Sequence, residues 1–144
     1  MPRLVPAFTL CLFLSFNIST QAQNNPTPAD SSAVRATVTN YIEAYYTGDA
    51  HRMEQTLHPH YLKHMIHGNI PMREKTGPEM VREVRSHGVP DIPQADRTEQ
   101  VNVLDVAGTI ASAKLVTPGW VDYVTLSKLN GEWKILSVVQ RIDN

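Results

Sequence analysis

The residue with the most chemical promise is Asp122, set in the run Trp120-Val121-Asp122-Tyr123-Val124-Thr125-Leu126. Strand alternation there puts Trp120, Asp122, Val124 and Leu126 on one face, so a carboxylate sits among apolar neighbours. Two readings are open. If Asp122 lines a cavity, desolvation raises its pKa and suits it to general acid or base work, with Trp120 as a platform for a flat ligand. Alternatively it pairs with a cation such as Lys114 or Arg141, or lies at a rim.

Tyr41 and Tyr45 are four residues apart at helical spacing, which turns both inward, either as plain core or with their hydroxyls at the polar end of a cavity. All six histidines fall between His51 and His87. His58 and His60 would share a strand face, whereas His60, His64 and His67 would share a helical one. Neutral imidazoles can ligate metal, but this stretch has no Asp or Glu on an obvious shared face, so no metal site is assigned.

Other chemistries lack their residues. There is no glycine-rich phosphate loop, no nucleophile elbow with Ser-His-Asp order and no closely spaced carboxylate pair. Redox and phosphoryl-transfer chemistry with a cofactor are therefore not expected, and no cofactor is assigned.

These side chains need a scaffold, and 144 residues with 42% apolar content supply one core. Arg3, the apolar run from Leu4 to Phe16 and the small polar residues ending at Ala22 have the order of a cleavable secretory signal peptide. The apolar run is too short to span a bilayer, so residues 1–22 are expected to be removed with no stable membrane insertion afterwards. The product would be secreted or periplasmic. Cleavage would take away Cys11, the only cysteine, which excludes disulfide and thiol chemistry from the mature chain. It would also remove Arg3, leaving 12 basic against 14 acidic residues, a net charge of −2, so nucleic acid is not an expected partner.

Residues 23–31 read as a flexible leader, and residues 32–144 as the domain. Val34, Val38, Tyr41, Ile42 and Tyr45 define an amphipathic first helix stopped by Gly48. Asp49 caps a short second helix closed by Pro59, and Tyr61 to Ile66 reads as a strand. Thr76 and Glu79 form the capping box of a third helix, which buries Met80, Val81 and Val84 and runs to Gly88. The pattern then alternates: strands are expected at Glu99–Val106, Thr109–Val116, Trp120–Lys128 and Glu132–Arg141, with Asn130-Gly131 as the strongest turn. The expected fold is α+β, three helices on a curved, mainly antiparallel sheet with a cavity between them.

Several of these elements resemble one family. The helix end from Tyr41 to Asp49 (YIEAYYTGD) resembles the opening of nuclear transport factor 2-like, or SnoaL-like, domains. Leu57-His58-Pro59 with Lys63-His64, the run Gly119 to Tyr123, and Asn130 to Ile135 are similar to the lumazine-binding branch of that superfamily. The branch usually has Arg where this chain has His64. The resemblance spans roughly Ser32 to Arg141 and implies a cone-shaped sheet around a small-molecule pocket, in a homodimer formed through the outer sheet face, where Tyr123 would lie. It also implies pocket roles for His64 and for Lys63, the latter as attractor of an anionic or carbonyl-bearing ligand; the residues alone also allow Lys63 to be a solvated strand charge. His58, at the helix-to-strand corner, would either present a ring nitrogen to the pocket or bond a helix-end carbonyl.

Three functions follow as expectations. The first is an exported small-molecule binder, with Trp120, Tyr41, Tyr45, Lys63 and His64 as ligand contacts. The second is a cofactor-free isomerase-, cyclase- or dehydratase-like enzyme, with Asp122 and His58 as its catalytic pair. The third is a structural or protein-interaction module.

Overall fold

The structure, a computed structural model, describes Met1 and residues 27–143. Residues 2–22 of the expected signal peptide and residues 23–26 of the expected leader lie outside these residues, while residues 28–31, expected as flexible leader, are helical. Helix α1 spans Pro28–Thr47, so it begins four residues before Ser32. Its start is signed locally: the Thr27 hydroxyl accepts from the Asp30 N–H at 3.1 Å, and Pro28 occupies a first-turn position where its missing N–H costs nothing. Val34, Val38, Tyr41 and Ile42 are buried as expected, while Tyr46 is buried and Tyr45 only partly so. Gly48 ends the helix at φ +69°, and the Asp49 N–H closes back on the Ala44 carbonyl at 2.9 Å.

Helix α2 (Ala50–Thr56) is capped by Asp49, whose carboxylate accepts from the Arg52 N–H at 2.9 Å. Strand β1 (Leu57–His67) follows at once and is longer than the Tyr61–Ile66 segment expected from the sequence. Pro59 lies inside β1 and does not close the helix. It falls in the irregular stretch between the Leu57 and Leu62 pairings, where a missing N–H is tolerated.

Strand β2 (Ile70–Thr76) is an element the periodicity does not reveal. Nearly all of it is exposed, so it carries no apolar alternation; the signal present is the Gly68-Asn69 turn, with Gly68 at φ +52°. Helix α3 (Gly77–His87) has its box at Thr76, where the Glu79 carboxylate accepts from the backbone N–H at 2.8 Å and from the hydroxyl at 2.7 Å. The strands β3 (Gln100–Ala107), β4 (Ile110–Val116), β5 (Trp120–Leu129) and β6 (Glu132–Ile142) match the expected meander closely.

The six strands form one sheet in the order β2-β1-β6-β5-β4-β3, with β1 parallel to β6 and every other pair antiparallel. Register shifts leave Leu104 in β3 and Leu136 in β6 without an opposite residue. Such bulges bend a strand and reverse which residues face inward, and past Leu136 the inward phase moves from Trp133 and Ile135 to Val138 and Gln140. The helices cover the inner face, where the apolar core lies. Among the described residues no helix is long and apolar enough to cross a membrane.

Candidate functional site

Two rows of residues cross the inner face. Leu115, Asp122, Gln140, Met65 and Arg73 stand opposite one another on β4, β5, β6, β1 and β2. The next row runs Ala113, Val124, Val138, Lys63 and Lys75. Lys63 and Asp122 are thus on strands that flank β6, about 10 Å apart at the backbone. The long lysine stem crosses Val138 and brings Nζ to 3.6 Å from Asp122 Oδ2.

Both partners are deeply buried: Asp122 is 0% exposed and Lys63 5%. Lys63 Nζ also donates to the Tyr41 hydroxyl at 3.1 Å, and Tyr41 Oη lies 3.3 Å from Tyr61 Oη. Asp122 makes no hydrogen bond within 3.5 Å among the described residues, and its nearest polar neighbours, Lys63, Gln140 and Trp120, each favour its charged form. Burial raises the Asp122 pKa, with Lys63 opposing it, and burial lowers that of Lys63, with Asp122 opposing. The pair is therefore held together against desolvation that acts on each member. Burial also pushes the Tyr41 and Tyr61 phenols well above their ordinary value, so both stay neutral donors.

Next to this network is a cavity of about 230 Å³ between the sheet, α1 and α3. Trp120, Tyr45, Tyr41, Lys63, Asp122 and Gln140 line it. The Tyr45 and Trp120 rings meet nearly at right angles, centroids 5.8 Å apart, as an edge-to-face aromatic wall. Asp122 supplies acceptors, while Lys63, Gln140 and the phenols supply donors, so one small space holds both halves of a hydrogen-bonding code. Nearer the mouth are Arg73, Lys75 and Glu83, the last two ion-paired with each other.

Five of the seven expected site residues, Tyr41, Tyr45, Lys63, Trp120 and Asp122, come together at this cavity. The cation beside Asp122 is Lys63; Lys114 lies over the outer-face ring of Tyr123, and Arg141 pairs with Asp143. His64 and His58 are elsewhere, correcting the expectation for both. One residue of parity separates His64 from Lys63 on β1, so it faces outward, with Nε2 3.1 Å from Glu74 Oε1. The His58 Nδ1 accepts from the His60 N–H at 3.1 Å beside a separate groove shared with Glu54 and Arg82. The histidines do not converge: among the described residues no group of three or more His, Cys, Asp or Glu could hold a metal. Tyr123, 53% exposed, is on the outer face.

Sequence reasoning missed Tyr61, Gln140, Arg73, Lys75 and Glu83. Gln140 left a trace, as a polar residue among the valines of the last strand, but the bulge at Leu136 hides which face it takes. Arg73 and Lys75 sit on the strand that has no apolar pattern.

No curated protein matches the chain. Among solved structures, an NTF2-like protein of unknown function from Shewanella baltica superposes with a TM-score of 0.68 at 16% identity, covering 84% of this chain and 99% of that one. Another from Silicibacter pomeroyi gives 0.64 at 18% identity, with 78% and 94% covered. A ketosteroid isomerase-like protein from Erwinia carotovora atroseptica gives 0.57 at 11% identity, with 81% and 98% covered. At such identities the likeness establishes the NTF2-like α+β cone, the fold expected from the sequence. A family model described as "Putative lumazine-binding" matches residues 29–140, most of the chain and all the strands of the cavity, and the chain belongs to that family.

Proposed function

We propose that this chain is an exported small-molecule-binding protein whose cavity takes a flat, partly polar molecule of one ring or two compact rings. The observation that carries it is Asp122, a wholly buried carboxylate with both oxygens unpartnered by hydrogen bonds at the wall of a cavity. A buried acceptor left unsatisfied costs about 1–3 kcal/mol, more when charged. Donors on an entering ligand would recover that cost.

Size and chemistry narrow the ligand. The 230 Å³ space exceeds the ~150 Å³ that admits benzene and falls short of the ~300 Å³ at which drug-sized pockets begin. An imide edge, a ring N–H flanked by two carbonyls, would donate a hydrogen bond to Asp122 and accept one from Lys63 or Gln140. Lumazine has such an edge on a two-ring skeleton, in keeping with the family's description. The test is a fluorescence titration of the full chain with lumazine, and with uracil by calorimetry, beside mass spectrometry of anything released on denaturation. Asp122→Asn is expected to weaken binding at least tenfold. A chain that releases nothing and binds neither probe would refute the proposal.

A second reading is favoured by one observation. Burial moves the pKa values of Asp122 and Lys63 toward each other, which suits cofactor-free proton transfer on a carbonyl compound. Incubating the recovered ligand with the protein in deuterium oxide separates the two. Exchange at a carbon next to a carbonyl, lost in Asp122→Asn, would mark an enzyme, whereas a ligand returned unlabelled and unchanged leaves binding alone.

A further inference from the structure

Five ionisable side chains other than the tyrosines line the cavity: Lys63, Arg73, Lys75, Asp122 and Glu83. Four are matched, Lys63 with Asp122 and Lys75 with Glu83. Arg73 has neither an ion pair nor a hydrogen bond to any described residue, so the site has one positive charge in excess on a chain whose formal net charge is −1. Its position is as informative as its charge. Arg73 stands on the edge strand β2 in the same cross-strand row as Met65, Gln140 and Asp122. Three strand spacings, about 14 Å along the sheet, separate it from Asp122.

Building on the ligand-binding reading above, we propose that the cavity is specific for ring compounds bearing a carboxylate, with the donor edge of the ring at Asp122 and the carboxylate at Arg73 on the rim. A guanidinium presents two parallel N–H groups whose spacing matches a carboxylate, which a lysine does not. The inner end, where Lys63 matches Asp122, carries no excess charge, whereas the rim has the unmatched Arg73, so the ligand is oriented with its carboxylate outward. Lys75 is held by Glu83, so Arg73 is the cation at the rim free to take a carboxylate.

Two matched pairs of probes test this, lumazine against lumazine-6-carboxylate and uracil against orotate, titrated into the full chain at low salt. The carboxylated member is expected to bind about tenfold tighter, as a charge-assisted contact worth a factor of that order would give. That ratio should fall close to one in Arg73→Gln and at about 1 M salt, where screening is strong. It should be partly kept in Arg73→Lys, and unchanged in Arg85→Gln, which lies at the separate groove near His58. Equal affinity within each pair, or a ratio unaffected by Arg73→Gln, overturns the carboxylate proposal while the ligand-binding reading stands. If no member of either pair binds, both fall.

Discussion

Removing either member of the buried Lys63–Asp122 pair should destabilise the fold with opposite pH dependence. At 3.6 Å and an effective dielectric constant of about 20, the attraction is about 4.6 kcal/mol. Desolvation of two buried charges offsets most of it, so the pair adds little net stability, yet breaking it leaves a charge stranded at about 3–5 kcal/mol. The stranded group can escape by changing protonation, which sets a ceiling. In Lys63→Met, Asp122 can take up a proton. From an ordinary value of 3.8, this costs about 4.4 kcal/mol near pH 7 and about 1.6 near pH 5, at about 1.36 kcal/mol per pH unit.

In Asp122→Asn, Lys63 can instead lose its proton. From 10.5, that costs about 4.8 kcal/mol near pH 7 and about 2 near pH 9. The signs agree with the shifts. Asp122, raised in the fold, contributes stability at low pH that is lost as pH rises through its folded pKa. Lys63, lowered in the fold, contributes stability at high pH that is lost as pH falls through its own. Urea denaturation followed by tryptophan fluorescence at about pH 5, 7 and 9 measures this. The Lys63→Met penalty should shrink toward acid and the Asp122→Asn penalty toward alkali, and the double variant should come within about 1 kcal/mol of the parent or exceed it. Penalties that stay flat with pH, or that shrink in the same direction, would refute the reasoning.

Other outcomes are expected. In Gly48→Ala the new Cβ would lie 2.4 Å from the Gly88 carbonyl carbon at a φ of +69°, so stability should fall by about 2–3 kcal/mol in denaturant titration, with faster amide exchange at residues 88–91. Asp49→Ala removes the cap of α2 and should cost about 1 kcal/mol, read as a lower urea midpoint at unchanged slope. Trp120→Ala opens the aromatic wall and should weaken lumazine binding by tenfold or more, while His58→Ala, at the separate groove, should leave it alone. Expressed in an exporting host, the chain should have the mass of residues 23–144; the mass of the whole chain would argue against export.

Local chemistry made much of the fold legible. Asn130-Gly131, Thr76 with Glu79, and Gly48-Asp49 each impose a turn, a box or a cap through contacts a few residues long, so the helices after α1's first turn and the last four strands could be read directly. The same holds for Asp122 and Trp120, because strand alternation alone puts them on one face. Signals a few residues long can also be overlooked, as Thr27-Pro28 at the start of α1 and Gly68-Asn69 before β2 both show.

The sequence by itself determined the α+β class, the alternation that turns Asp122 inward and the pairing of Tyr41 with Tyr45 on one helix. Only the tertiary structure decided that Lys63 and not Lys114 or Arg141 meets Asp122, that His64 faces outward, and that Arg73 guards the rim. Those outcomes depend on β1 lying beside β6 and on a one-residue bulge at Leu136. Pairing between strands some 70 residues apart leaves no mark in the spacing of either one.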